Sequence, residues 1–178
     1  MKKYLIAVDL QKDFVDGALG SEQAQAIVPA AAEKIRGFSG EIFLTLDTHN
    51  EDYLQSSEGK KLPVPHCIKD TDGWKLDGNI EAAIQGKNFK FVEKPTFGSV
   101  KLPAIIAESA NGEDISIEII GLCTDICVVS NAMILKANFP DAEITVDAAC
   151  CAGVTDELHN AALDTMGSCQ INVINRRN

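Results

Sequence analysis

The chain has 178 residues, which is enough for one domain with a substantial buried core. Its formal net charge of −10 argues against nucleic acid and anionic membrane surfaces as partners, because both favour basic patches. No window approaches the ~20 apolar residues of a membrane span, and the short N-terminal apolar run does not have the features of a signal peptide. We therefore expect a cytoplasmic protein whose six cysteines are reduced thiols.

Short apolar runs alternate with longer amphipathic ones along the chain, and this alternation predicts strands and helices respectively. The predicted strands are residues 4–8, 42–46, 89–92, 115–120, 144–146 and 171–174. The predicted helices are residues 21–38, 99–109, 124–138 and 155–166, with a weaker helical pattern at 79–83. Apolar strands that alternate with helices indicate a three-layer α/β/α domain with a mostly parallel sheet of about six strands.

A single domain covering residues 1–178 is expected, since no linker, internal repeat or low-complexity segment interrupts the pattern. One connection, of about 40 residues between the second and third strands, is unusually long. Connections beyond roughly 12–15 residues are uncommon and usually functional. We therefore predict an insertion around residues 48–87 that serves as a lid or a metal-binding loop, and it carries two of the three histidines.

Three reactive side chains follow predicted strands. Asp9 follows the first strand, Lys94 the third, and Cys127 lies in the first turn of the helix after the fourth. Each has a simpler explanation as a turn cap, a solvated lysine or a packing cysteine, but the carboxyl ends of parallel strands share one edge, where ligands bind. A helix N-terminus and an ammonium group both favour a thiolate, and a carboxylate can accept the thiol proton. The third histidine, His159, is expected to be a surface or packing residue.

A second group of polar residues has the chemistry of metal ligands. The second strand ends in Asp47, followed by His49, and His66 lies further along the same connection. Carboxylate oxygen and imidazole nitrogen suit zinc, manganese or iron(II), although this spacing is not a diagnostic zinc motif. A polar loop residue is the alternative interpretation of His66. Either Glu51 or Glu58 could complete the ligand set, and the sequence does not choose between them.

Six segments match the motifs of a known family, in the same order, between about residue 4 and residue 155. They are Asp9-Leu10-Gln11-Lys12-Asp13-Phe14, Asp47-Thr48-His49, Pro65-His66-Cys67, Lys94-Pro95-Thr96-Phe97-Gly98-Ser99, Gly121-Leu122-Cys123-Thr124-Asp125-Ile126-Cys127, and Asp147-Ala148-Ala149 with Gly153. The chain thereby resembles the isochorismatase-like cysteine hydrolases, and within that superfamily it is most similar to the nicotinamidases (pyrazinamidases). The motifs are specific for the superfamily and less specific for a substrate.

The resemblance implies a catalytic triad of Cys127, Asp9 and Lys94. In this family the cysteine attacks an amide carbonyl, ammonia leaves with a proton supplied through the aspartate, and water resolves the thioester. The resemblance also implies a cis peptide bond between Leu122 and Cys123. The backbone N–H groups of Cys123 and Cys127 would then form the oxyanion hole. Cys123 stands where the family usually has alanine.

In nicotinamidases a divalent metal ion holds the pyridine nitrogen of the substrate, so the resemblance implies zinc, or else manganese or iron. The implied ligands are Asp47, His49 and His66. An aromatic residue that stacks on the substrate ring often precedes the loop histidine in these enzymes, but Pro63 and Val64 occupy that place here. The remaining candidates for substrate-binding aromatic residues are Phe14, Trp74 and Phe97.

The predicted function is that of a cysteine-dependent amidohydrolase, with nicotinamide as the favoured substrate. A hydrolase of another small amide or N-carbamoyl compound is the first alternative. A flavodoxin-like nucleotide-binding module is an alternative of a different class, but residues 10–14 are bulky and acidic where a phosphate loop needs Ser, Thr and Gly. A homo-oligomer is expected, and the apolar helix residues Ala132, Leu135 and Phe139 belong either to the core or to an interface.

Overall fold

The structure is a computed structural model that describes residues 1–176, so residues 177–178 of the predicted domain lie outside the described part. The described residues form one sheet of six strands in the order β3-β2-β1-β4-β5-β6. The strands are β1 (Lys2–Val8), β2 (Glu41–Asp47), β3 (Phe89–Lys94), β4 (Ile115–Leu122), β5 (Glu143–Ala152) and β6 (Asn172–Ile174). Every neighbouring pair is parallel, which confirms the predicted sheet.

Helices cover both faces of this sheet. The α-helices are α1 (Lys12–Val15), α2 (Glu22–Gly37), α3 (Gly78–Ala83), α4 (Leu102–Ala110), α5 (Val129–Asn138) and α6 (Asp156–Ser168). A short 3₁₀ helix, Tyr53–Gln55, lies in the long connection, and a π-helical turn, Thr124–Val128, precedes α5. No helix within residues 1–176 combines the length and apolarity needed to cross a membrane.

Alternate side chains of the central strand β1 enter two separate cores. Leu5 and Ala7 pack with residues of α1, α2 and α3, whereas Tyr4, Ile6 and Val8 pack with residues of α4, α5 and α6. Because successive side chains of a strand point to opposite faces, a strand buried on both sides is apolar throughout. The predicted three-layer arrangement is therefore confirmed.

The apolar face of α5 belongs to the core of the chain. Ala132 and Leu135 are fully buried in the second core, and Phe139 packs against it. Of the two predicted locations, the core and an interface, these three residues therefore occupy the core or pack against it. The expected homo-oligomer remains a prediction.

Strand register brings four carboxyl ends to the same edge. Val8 is the register partner of both Thr45 and Gly121, and Asp47 is the partner of Lys94. Gly121 is required at the end of β4, since its φ is +121° and an added Cβ would lie 2.1 Å from the carbonyl oxygen of Val8. The residues that follow β1, β2, β3 and β4 therefore meet at one place.

The long connection between β2 and β3 folds back over this edge. It is anchored by isolated bridges between His49 and Ile68 and between Gln11 and Leu76. It is therefore an ordered cover over the strand ends, in which the 3₁₀ helix and α3 are the regular elements within the described residues. Its assignment as a lid or metal loop stays a prediction.

Candidate active site

Lys94 lies at the centre of a buried polar cluster. Its Nζ lies 2.6 Å from Asp9 Oδ2, 3.4 Å from Asp47 Oδ1 and 3.6 Å from Cys127 Sγ. Asp9 is 0% exposed and Lys94 is 1% exposed. Charges removed from water to this extent need partners, because an unpaired buried charge is strongly destabilising. The structure thus brings together the three side chains that lie at or beyond the carboxyl ends of β1, β3 and β4.

Burial dominates the proton equilibria of this cluster. It raises the pKa of the Cys127 thiol well above the usual range, and the Asp9 carboxylate raises that pKa further while Lys94 lowers it. Burial also raises the pKa of Asp9, against the opposing effect of Lys94. Burial alone would lower the pKa of Lys94, but the charges of Asp9, Cys127 and Asp47 raise it instead.

Burial and the Asp9 carboxylate therefore favour the protonated form of the Cys127 thiol, whereas the Lys94 ammonium favours the thiolate. Lys94 thus acts on the pKa of Cys127 in the direction that the sequence predicts, and burial opposes it. A thiol in this setting becomes nucleophilic only as it loses its proton. Asp9, whose carboxylate interacts with the thiol, is the group placed to accept that proton.

Asp9 has an unusual backbone conformation for a residue other than glycine, with φ at +48°. Its backbone N–H donates to both the carbonyl oxygen and the hydroxyl oxygen of Thr45, each at 3.2 Å. The Thr45 hydroxyl in turn donates to Asp9 Oδ1 at 2.6 Å. Residues held in sparsely populated conformations cluster at functional sites. Sequence reasoning missed Thr45, whose signal is a hydroxyl within an otherwise apolar strand.

The segment that contains Cys127 is a π-helical turn that follows a cis peptide bond between Leu122 and Cys123. The cis bond lies where the resemblance implies one. The predicted helix over residues 124–138 is therefore divided into this turn and α5. Single π-helical turns occur frequently at functional sites. Burial, together with the carboxylates of Asp125 and Asp9, raises the pKa of the Cys123 thiol to about 12.

The π-helical turn is attached to the segment that joins β5 and α6. Thr124 Oγ1 hydrogen-bonds to His159 Nδ1 at 2.7 Å, and Asp125 Oδ1 accepts from the backbone N–H of Val154 at 3.0 Å. His159 is thus bonded to a residue close to Cys127. We had expected His159 to be only a surface or packing residue, and this expectation did not include its hydrogen bond to Thr124.

Asn131 joins the nucleophile segment to the loop that follows Lys94. Its Oδ1 accepts from the backbone N–H of Ser99 at 2.9 Å. Its Nδ2 donates to the carbonyl oxygens of Cys127 at 2.8 Å and Phe97 at 3.2 Å. The side chain is completely buried. Sequence reasoning missed Asn131, because one amide in a helix gives no indication of two partners, Ser99 and Phe97, that lie more than 30 residues away.

The predicted metal ligands form a second cluster that shares Asp47 with the first. Asp47 Oδ2 lies 3.0 Å from His49 Nε2 and 3.4 Å from His66 Nε2, and the ligand atoms all lie within 4.8 Å of one another. His66 Nδ1 hydrogen-bonds to the carbonyl oxygen of Val64 at 2.8 Å, which leaves Nε2 for a metal. A carboxylate and two imidazoles form a donor set that suits a divalent ion and leaves a coordination position open.

Glu58 lies beside this cluster, and Glu51 does not lie among its contacts. Glu58 Oε1 is 3.8 Å from His49 Nε2 and 3.7 Å from His66 Nε2. Glu51 is exposed and lines a surface cavity together with His49, Asp52 and Lys69. Burial raises the pKa of Glu58, and Asp47 raises it while the two histidines lower it. Glu58 is therefore the better candidate for an additional ligand.

Aromatic side chains surround the two histidines. The ring of Tyr53 lies 4.7 Å from that of His49 and 5.0 Å from that of His66, and Phe14 lies 5.5 Å from His66. Sequence reasoning missed Tyr53, because it lies in a connection where no regular pattern indicates burial. Phe14 packs against one metal-ligand candidate, so its predicted contact with a substrate remains a prediction.

The other two predicted substrate-binding residues differ in environment. The Trp74 indole N–H donates to Thr48 Oγ1 at 2.9 Å, and the residue is half-buried. Phe97 is 47% exposed and lines a cavity of about 370 Å³ together with Leu62, Ile126 and Glu58. This cavity adjoins both clusters through Glu58 and through the residue before Cys127. Phe97 thus lines a cavity that also contains Glu58, and its substrate contact remains a prediction.

The first motif of the chain positions the long connection. Gln11 is buried, and its Nε2 donates to the carbonyl oxygens of Asp47 at 2.9 Å and Trp74 at 2.8 Å. Its Oε1 accepts from the backbone N–H of Asp47 at 2.8 Å. Asp13 Oδ2 accepts from the backbone N–H of Cys67 at 2.7 Å. Gln11 and Asp13, which follow Asp9, therefore hold the long connection against the end of β1.

Fold and site together define a parallel α/β protein with a buried Cys–Asp–Lys cluster beside an Asp–His–His cluster. The model of the isochorismatase domain matches residues 3–177. An uncharacterized isochorismatase family protein from Bacillus subtilis, PncA, is 33% identical over 147 residues, which cover 75% of this chain and 78% of that protein. The chain belongs to the isochorismatase family, and it is a hydrolase of that family.

Solved structures agree with this assignment. The nicotinamidase/pyrazinamidase PncA of Bacillus subtilis superposes with a TM-score of 0.84 at 26% identity, covering 97% of this chain and 99% of that one. The pyrazinamidase/nicotinamidase of Streptococcus mutans superposes with a TM-score of 0.83 at 28% identity, covering 97% and 100%. The expected isochorismatase-like fold is therefore confirmed.

Proposed function

We propose that the protein is a cysteine-dependent amidohydrolase that converts nicotinamide and water to nicotinate and ammonia. The observation that carries this proposal is the contact of Lys94 Nζ with Asp9, Asp47 and Cys127 within 3.6 Å, which joins a nucleophile to a base and to a metal-type cluster. Similar structures described as nicotinamidase/pyrazinamidase support the same substrate class. Family membership favours a hydrolase over a nucleotide-binding module.

The first half of the reaction is acylation of Cys127. The thiol proton passes to Asp9 as the sulfur attacks the carboxamide carbon, so a C–S bond forms and the carbonyl electrons move to oxygen. The backbone N–H groups of Cys123 and Cys127 stabilise the oxyanion, and such donors are worth roughly 3–4 kcal/mol each in a transition state. Asp9 returns the proton to the amine nitrogen, the C–N bond breaks, and ammonia leaves.

The second half releases nicotinate. Water attacks the thioester carbon and gives a proton to Asp9, the C–S bond breaks, and Asp9 passes this proton to the departing sulfur. The carboxylic acid that forms loses its own proton to solvent and leaves as nicotinate. Lys94 remains an ammonium throughout, since the charges around it raise its pKa. Its charge therefore orients the Asp9 carboxylate and stabilises the sulfur whenever the sulfur is anionic.

The second cluster would hold a divalent metal ion, for which we propose zinc, with manganese or iron as alternatives. Asp47, His49 and His66 are the proposed ligands, and Glu58 is the proposed additional ligand. Such an ion supplies an open coordination position that a pyridine nitrogen fits. Phe14, Trp74 and Phe97 are proposed to contact the ring. A cytoplasmic location and a homo-oligomeric state remain predictions.

A substrate panel with metal analysis tests the proposal. The purified protein is expected to release ammonia from nicotinamide and pyrazinamide, and to contain close to one divalent ion per chain. Efficient turnover of N-carbamoyl compounds with no turnover of nicotinamide would contradict the proposed substrate. That outcome would favour the alternative, another small amide or an N-carbamoyl compound. The sequence Pro63-Val64 before His66 supports this alternative, because no aromatic residue stands there.

A further inference from the structure

Thr45 is a buried hydroxyl residue in the middle of an apolar strand. It is 0% exposed, and its neighbours along β2 are the apolar residues Leu44 and Leu46. Its register partner is Val8, so Thr45 lies beside the point where β1 ends and Asp9 begins. A hydroxyl removed from water needs hydrogen-bond partners, because an unsatisfied buried polar group costs free energy.

Asp9 supplies both partners of this hydroxyl. Thr45 Oγ1 accepts from the Asp9 backbone N–H at 3.2 Å and donates to Asp9 Oδ1 at 2.6 Å. A hydroxyl has one proton to donate, so that proton is directed at Oδ1. The distance falls within the range of charge-assisted O–H···O⁻ hydrogen bonds. Thr45 therefore fixes the backbone and one carboxylate oxygen of Asp9.

The other carboxylate oxygen, Asp9 Oδ2, has a different environment. Among the described residues it is buried and has no hydrogen-bond partner of good geometry, although Lys94 Nζ lies 2.6 Å away as an ion-pair contact. The same Nζ lies 3.6 Å from Cys127 Sγ. Oδ2 is therefore the oxygen on the side of the ammonium that also contacts Cys127, and it retains lone-pair capacity for a proton.

We propose that Thr45 is a positioning residue that makes Oδ2 the proton-accepting oxygen of Asp9. The S–H bond of Cys127 breaks, its electron pair stays on sulfur, and an O–H bond forms at Oδ2 while Oδ1 stays hydrogen-bonded to Thr45. The return of this proton to the leaving amine rests on the proposed function. The first transfer does not, because alkylation of Cys127 by any electrophile requires loss of the thiol proton, for which Asp9 is the proposed acceptor.

Isosteric and conservative variants of Thr45 test this assignment. Thr45→Val keeps the shape and removes the hydroxyl, whereas Thr45→Ser keeps the hydroxyl. We expect Thr45→Val to slow both iodoacetamide alkylation of Cys127, measured on the peptide by mass spectrometry, and kcat for ammonia release. The expected decrease is roughly 10- to 100-fold, as for the loss of a hydrogen bond to a charged group, with KM unchanged. Thr45→Ser is expected to remain within a few-fold of the wild type.

Two results would overturn the assignment. One is a Thr45→Val protein with wild-type alkylation and kcat, and the other is a Thr45→Ser protein impaired as much as Thr45→Val. If Thr45→Val does not fold, Thr45→Ala is compared with Thr45→Ser, because both lack the methyl group and differ in the hydroxyl. Alkylation that depends on the hydroxyl in a protein inactive on nicotinamide would retain the positioning role and reject the proposed function.

Discussion

Replacing Lys94 with methionine tests whether the charge of Lys94 stabilises the fold by pairing with the buried carboxylates. The substitution keeps the length and apolar stem of the side chain and removes its charge. It leaves Asp9, at 2.6 Å from the former ammonium, and Asp47, at 3.4 Å, without their common cation. Breaking a buried ion pair by removing one partner costs about 3–5 kcal/mol. Since domains of this size have about 5–15 kcal/mol of stability, we expect a folded but much less stable protein.

The assay is urea unfolding at pH 7, followed by circular dichroism in the presence of a chelator so that metal binding does not contribute. The matched control is Asp9→Asn, which removes a carboxylate charge at nearly constant volume. In the Lys94→Met background, Asp9→Asn is expected to recover part of the lost free energy of unfolding. The reasoning would be refuted if Lys94→Met unfolded at the wild-type urea concentration, or if Asp9→Asn destabilised it further.

The same variant has a definite dependence on pH. Burial raises the pKa of Asp9 already in the wild type, and loss of Lys94 removes an effect that lowers it. A carboxyl group whose pKa is higher in the folded than in the unfolded state destabilises the fold as pH rises above the unfolded value. The stability deficit of Lys94→Met relative to wild type is therefore expected to shrink as pH falls toward 4.

Three further predictions concern separate parts of the site. His66→Ala is expected to lower the bound metal content and, with it, turnover of nicotinamide, as measured by elemental analysis and ammonia release; full metal retention would contradict the proposed ligand set. Asn131→Ala is expected to lower the free energy of unfolding by about 1–3 kcal/mol, because it leaves the Ser99 N–H without its acceptor. A urea unfolding curve identical to that of the wild type would count against this role of Asn131. Since burial raises the pKa of the Cys127 thiol above 9.0, its alkylation rate is expected to keep rising above pH 9, and a plateau near pH 7 would show a resting thiolate.

The sequence predicts much of the site because of a property of parallel sheets. Their carboxyl ends share an edge, so Asp9, Asp47 and Lys94 could be assigned to one place once their strands were recognised. The strands were recognisable because apolar side chains on both faces give continuous apolar runs, as in Leu5 and Ile6 of β1. Resemblance to known hydrolases then supplied the roles of these residues.

Other parts depend on contacts that no local pattern contains. Thr45 and Asn131 act through hydrogen bonds to residues 36 and 32 positions away in the chain, and Tyr53 is buried inside an irregular connection. β5 is longer than predicted, Glu143–Ala152 rather than residues 144–146, because Asp147 interrupts its apolar pattern. The effect of burial on the pKa of Cys127 was also not predictable, since the sequence does not give the depth of burial.

The most direct test of the account is the rate of ammonia release from nicotinamide by Cys127→Ala. Cys169→Ala is the matched control, because Cys169 is an exposed thiol at the end of α6. We predict that Cys127→Ala loses at least ~1,000-fold in kcat, as expected for removal of a nucleophile, while Cys169→Ala retains the wild-type rate. Ammonia release by Cys127→Ala at the wild-type rate would contradict the assignment of Cys127 as the nucleophile.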